Sequence, residues 1–196
     1  MKSEINTKVV EILKAVGIAD PLEVIDYYPH QLSGGMRQRI LIAIALSCNP
    51  SLVIMDEPTT SLDVTIQRQI LELTKELIKK FDMSIMLITH DLAILSEIAD
   101  KIGIMYGGKM IEYGSSNDIY KNPKHPYTKG LLESIPTLHG GKPKYIKDNP
   151  QDLISPKEGC KFYDRCPEAM DKCKKDPHRF KTDSGYVMCW LYDDKV

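Results

Sequence analysis

Leu52-Val53-Ile54-Met55-Asp56-Glu57-Pro58-Thr59 is the stretch from which the fold can be read. Four consecutive apolar residues read as a buried strand. Two adjacent carboxylates follow at once, and such a pair is costly beside a core unless it stands at a surface with something to offset its charge. The carboxyl ends of strands in α/β sheets are where ligands sit, so Asp56 and Glu57 are candidate functional residues. Downstream, a loop leads to a helix over Val64–Lys80 with Ile66, Ile70, Leu73 and Leu77 on one face. Ser84–Thr89 reads as a second buried strand, Leu92–Ala99 as a helix, and Ile102–Tyr106 as a third strand that Gly107-Gly108 turns back into Lys109–Tyr113. Strand–helix–strand–helix–strand predicts a parallel sheet with helical crossovers. In that sheet His90, after the second strand, stands at the same edge as Asp56 and Glu57.

Upstream, Glu4–Val16 carries an apolar stripe that stops at Gly17, and Asp20-Pro21 caps a short helix over Leu22–Tyr28. Ser33 reads as the N-cap of a helix running to about Ser47. That helix is apolar on most faces, which predicts burial, with Cys48 as a small core residue. Its start, Ser33-Gly34-Gly35, combines free amides, the helix dipole and glycines that let an anion approach. After the hairpin, Ser116–Ser134 is helical but broken at Asn122-Pro123 and Pro126, and Pro136–Gly159 reads as an extended arm. Runs such as Ile40–Leu46 are far shorter than the 18 apolar residues that span a bilayer. With 26 Lys+Arg against 27 Asp+Glu in 196 residues, no charge excess favours nucleic acid.

In this order and spacing, Leu32-Ser33-Gly34-Gly35-Met36-Arg37-Gln38-Arg39, Leu52 through Pro58, Ser61-Leu62-Asp63 and Thr89-His90 resemble the ATP-binding-cassette ATPases. The four match that family's signature motif, Walker B strand with catalytic glutamate, D-loop and switch histidine. Asn122-Pro123-Lys124-His125-Pro126-Tyr127-Thr128 and the tail behind it look like the extension of dipeptide and oligopeptide importer ATPases, which nickel importers share. The fold implied is a partial P-loop α/β ATPase. Residues 1–48 would supply part of a helical subdomain, 49–115 the ATPase core, and 116–196 the extension with a small cysteine-rich module.

The resemblance implies ATP and Mg²⁺, with Glu57 as general base, Asp56 holding Mg²⁺ through water and His90 contacting the γ-phosphate. Ser33, Gly34, Gly35 and Gln38 would grip nucleotide held by a second ATPase subunit in a head-to-tail dimer, and Asp63 would link the two sites. Further implied partners are two transmembrane permease subunits and, indirectly, an external solute-binding protein, with the chain peripheral on the cytoplasmic face of the membrane. The family also needs a Walker A loop, G-x-x-x-x-G-K-[ST]. The near match, Gly103–Met110, ends in Met and lies in a strand–turn–strand, so it is rejected. Walker A is expected upstream of Met1, making the chain the carboxyl-terminal part of a longer ATPase. Alone, it is expected to bind ATP weakly and not turn it over. The alternative is a non-catalytic module that lends its signature motif to a partner.

Cys160, Cys166, Cys173 and Cys189 crowd the tail, a clustering that suggests a metal. Four thiolates suit Zn²⁺ or an iron–sulfur cluster equally. The family resemblance favours [4Fe–4S] over zinc and over free thiols or disulfides, with Phe162, Tyr163, Phe180, Tyr186 and Trp190 packed around it.

Overall fold

The computed structural model describes residues 2–60, 62–135, 145–146 and 158–193. Most of the expected arm at 136–159 lies outside them. The chain divides into two units, Met1–Ile94 and Leu95–Val196.

In the first unit, α1 (Lys2–Ala15) ends at Gly17, whose φ of +76° suits a residue with no Cβ. The Arg39 guanidinium donates to the carbonyl of Val16 at 2.7 Å and ties the end of α1 to the helix over Gly34–Leu46. Pro21–Val24 forms α2, shorter than expected, and Asp20 stands before it without a side-chain cap bond. Gly34–Leu46 forms α3, with Ser33 at its N-cap. β1 (Leu52–Asp56) and β2 (Ser84–Ile88) pair in parallel, Leu52 opposite Ser84 and Asp56 opposite Ile88. The crossover is α4 (Val64–Phe81), which buries Ile70, Leu73 and Leu77. Val16, Leu46, Val53, Met55, Ile70 and Leu77 join in one core.

Three expectations are corrected here. Both strands are covered on one face only: Val53 and Met55 point into the core, while Leu52, Ile54, Met86 and Ile88 are exposed. Only Ile42, Ala43 and Leu46 of α3 are buried, and Leu41 and Ile44 are exposed, because α1 and α4 meet the helix on one side. Cys48 lies beyond the end of α3 and is exposed, not a core residue.

The second unit follows α5 (Leu92–Ile98), within which the division falls. β3 (Lys101–Tyr106) and β4 (Lys109–Ser115) form the expected hairpin. Gly107 and Gly108 both have positive φ, +54° and +78°, the condition for a tight two-residue turn. The third strand does not join the parallel sheet. Its sheet runs β3-β4-β6-β5, antiparallel, with β5 (Phe180–Lys181) and β6 (Tyr186–Val187) supplied by the tail. Closing a local hairpin costs less chain entropy than a crossover, and the two glycines favour it.

The helices α6 (Ser116–Lys121) and α7 (Pro126–Glu133) break where Asn122-Pro123 and Pro126 predict. His125 caps α7, its Nδ1 accepting from the Tyr127 N–H at 3.0 Å. The buried Glu112 carboxylate accepts the N–H groups of Lys124 and His125 at 2.7 and 2.9 Å. The Phe162 ring packs edge-on against Tyr106 and Tyr127. Burial pushes His125 down to about 4, so it is neutral at pH 7.

Candidate functional site

The parallel register carries the ends of β1 and β2 to the same place. Glu57, one residue past β1, donates its N–H to the carbonyl of Ile88, the last residue of β2, at 2.9 Å. The chain after β2 then turns His90 onto the Glu57 carboxylate. His90 Nδ1 lies 2.7 Å from Oε1, and the His90 backbone N–H donates to the same oxygen at 3.2 Å. Thr60 donates its hydroxyl to Oε2 at 3.0 Å. Glu57 has a φ of +47°, a left-handed conformation that costs a residue with a side chain. Such strain persists only where the surroundings over-determine it, and here five hydrogen bonds converge on one residue, the Thr60 N–H to its carbonyl included.

The electrostatics follow from the geometry. The His90 hydrogen bond holds the Glu57 carboxyl below its ordinary range, with Thr60 adding to the effect against desolvation. In return the Glu57 hydrogen bond and charge raise His90. The result is an ionised carboxylate paired with an imidazole at the mouth of a cleft of about 270 Å³. Thr59, Thr60, Gln67, Thr89 and Asp91 complete its lining. The carboxylate can accept a proton, and the cleft is open to water.

The remaining candidates stand elsewhere in the same unit. Ser33 accepts the Met36 N–H at 3.2 Å, which leaves its hydroxyl proton free to donate. A Cβ on Gly34 would meet Leu62 at 3.5 Å, and one on Gly35 would meet Ile66 at 3.1 Å, so both glycines also let α3 approach the start of α4. Asp63 is the N-cap of α4, accepting from the Ile66 N–H at 3.0 Å. Asp56 is exposed at the end of β1, and Gln38 is half-buried on α3. None of these six lines the cleft. Sequence reading missed Thr60. The sequence offers only a partial signal, a hydroxyl three residues after a carboxylate across a Pro-containing turn, because its reach back depends on the left-handed backbone of Glu57.

The structure lends no support to a metal centre at the tail cysteines. Among the described residues no three His, Cys, Asp or Glu side chains are grouped so that they could hold a metal ion. Cys160, Cys166, Cys173 and Cys189 do share a neighbourhood, since the charges of Cys160, Cys166 and Cys173 would each raise Cys189. Burial, however, pushes Cys166 and Cys189 up to about 11 and also raises Cys160. With no metal bound, these three are neutral thiols at pH 7. Of the aromatics expected around the tail cysteines, Phe180 and Trp190 pack with Val187 and Cys189.

The chain resembles known proteins over most of its length. The family model described as ABC transporter matches residues 2–60, and that described as Oligopeptide/dipeptide transporter, C-terminal region, matches 111–173. The dipeptide transport ATP-binding protein DppD of Bacillus subtilis is 50% identical over 100% of this chain and 59% of its own length. The oligopeptide transport ATP-binding protein AppD of the same organism is 50% identical over 99% and 60%. OppD of Escherichia coli is 45% identical over 90% and 53%. The chain thus spans less than two thirds of the length of these relatives. Among solved structures, cbiO1 from Clostridium perfringens, part of the ABC transporter complex cbiONQ, superimposes with a TM-score of 0.56 at 31% identity. It matches 62% of this chain and 47% of its own. An inward-facing putative metal-chelate type ABC transporter gives 0.55 at 25% identity, over 64% and 47%.

Proposed function

We infer that this chain, which belongs to the ATP-binding-cassette transporter family and carries the oligopeptide/dipeptide transporter C-terminal region, is part of an ATP-hydrolysing subunit that drives import of di- or oligopeptides. The observation that carries the chemistry is the Glu57 carboxylate, held ionised by His90 at the joint carboxyl end of two parallel strands. Glu57 takes a proton from the attacking water, and His90 holds that carboxylate and faces the γ-phosphate. Mg²⁺ is typically bound by one or two carboxylates plus phosphate oxygens, a demand that exposed Asp56 fits through water. Bound there, the ion neutralises charge on the phosphates.

Ser33, Gly34 and Gly35 offer a free hydroxyl proton and helix-start amides to the phosphate of a nucleotide carried by a second ATPase subunit. Gln38 stands one turn behind them, and Asp63 caps α4 between Leu62 and Ile66, the two residues whose side chains face those glycines. Two transmembrane permeases complete the transporter, with a solute-binding protein outside. No helix among the described residues is long and apolar enough to cross a membrane. The proposed place of the subunit is peripheral, on the cytoplasmic face of the membrane beside those permeases. A metal centre at the tail cysteines is not part of this reading.

The test is a subunit carrying this sequence, reconstituted with its permeases in vesicles. ATP hydrolysis should rise with added peptide. Glu57→Gln should lower turnover by about 10²-fold while ATP binding survives. Unchanged turnover refutes the base, and stimulation by nickel in place of peptide refutes the substrate class.

A further inference from the structure

We propose that Thr60 is a positioning residue for Glu57: its hydroxyl fixes Oε2, and so turns Oε1 toward His90. This rests on the Glu57–His90 pair described above and adds a residue to it. A glutamate side chain has three rotatable torsions, and Glu57 stands at an open cleft, so contacts on one oxygen alone leave the carboxylate free to swing. Both donors from His90 fall on Oε1, and the donor on Oε2 is Thr60, at 3.0 Å.

The backbone delivers that hydroxyl. The Thr60 N–H donates to the Glu57 carbonyl at 3.2 Å, closing a turn over Pro58 and Thr59. Pro58 fixes its own φ, and both residues are buried. The turn is anchored on its far side as well: the Thr59 carbonyl accepts from the Leu62 N–H at 3.2 Å, and its hydroxyl oxygen accepts from Gln67 on α4 at 3.5 Å. Thr60 itself is exposed and contributes nothing to the core. A left-handed Glu57, an anchored turn and a returning hydroxyl therefore act as a single clamp on one carboxylate.

The experiment is ring ¹⁵N NMR of His90 in the 196-residue chain at about pH 9, where the imidazole is neutral and its shifts report which nitrogen carries the proton. Glu57 beside Nδ1 should make the Nδ1–H form predominate, and Glu57→Ala should reverse this. Thr60→Val should lower the Nδ1–H to Nε2–H ratio by about threefold, and Thr60→Ser should restore it. A ratio unmoved by Thr60→Val, with Glu57→Ala effective, overturns the clamp and leaves the pair standing. A Thr60→Ser ratio equal to that of Thr60→Val also overturns it, because the hydroxyl is then not the cause. A ratio unmoved by Glu57→Ala overturns the pair itself. Thr60→Ala replaces Thr60→Val if the amide spectrum shows that valine disturbs the fold.

Discussion

At the scale of single residues, Glu57 and His90 define a pH window. His90 is raised above its ordinary 6.5, so its share of the contact is complete below 6.5 and is lost as pH rises through the folded value. Glu57 is lowered below 4.5, so its share is complete above 4.5 and is lost as pH falls through its folded value. The pair is whole between these limits. We expect the His90 titration, followed by NMR of its Cε1–H, to have a midpoint above 6.5 that drops toward 6.5 in Glu57→Gln. A wild-type midpoint at 6.5 would contradict the contact. The meeting of these two residues was legible in the sequence because parallel strands bring their carboxyl ends to one edge, and strand lengths alone fix which residues follow. Thr60 was not, because its place depends on a left-handed glutamate, a conformation that no residue type other than glycine announces.

Among the elements, α7 carries the sharpest consequence. Its cap, His125, is buried and neutral, with a folded value of about 4 against 6.5 in the unfolded chain. Protons therefore bind the unfolded chain more readily between those values. Stability is full above pH 6.5 and falls as pH drops toward 4. From pH 7 to pH 5 the His125 contribution falls by roughly 2 kcal/mol. Urea unfolding followed by Trp190, the one tryptophan of the chain, reads the second unit. Asparagine caps helices well and does not titrate, so His125→Asn should remove this part of the pH dependence, and an equal slope in both proteins would contradict the assignment. Helix positions were legible from periodicity and from proline. The partnership of β3 was not: its apolar content suits either sheet, and the tail strands that complete its sheet are two residues each, too short to leave a pattern.

For the whole molecule, the 196 residues contain signature, Walker B and switch histidine but no G-x-x-x-x-G-K-[ST] segment. The purified chain should release no phosphate from ATP above the level of its Glu57→Gln variant in a colorimetric assay. Turnover abolished by that variant would mean that the β- and γ-phosphates are cradled by residues other than such a loop.

The pairing of β4 with β6 has a practical corollary for fragment design. Glu112 and Tyr113 stand opposite Val187 and Tyr186 in the ladder, and the Met188 N–H donates to the Ile111 carbonyl at 2.7 Å. A recombinant piece stopped before Phe180 would leave that flank of β4 as a bare row of amides and carbonyls next to buried isoleucines. Unsatisfied strand borders of this kind recruit other chains. Solubility of any shortened version therefore hangs on the short strands at Phe180–Lys181 and Tyr186–Val187, and a boundary chosen from the ATPase motifs alone would yield a protein that precipitates.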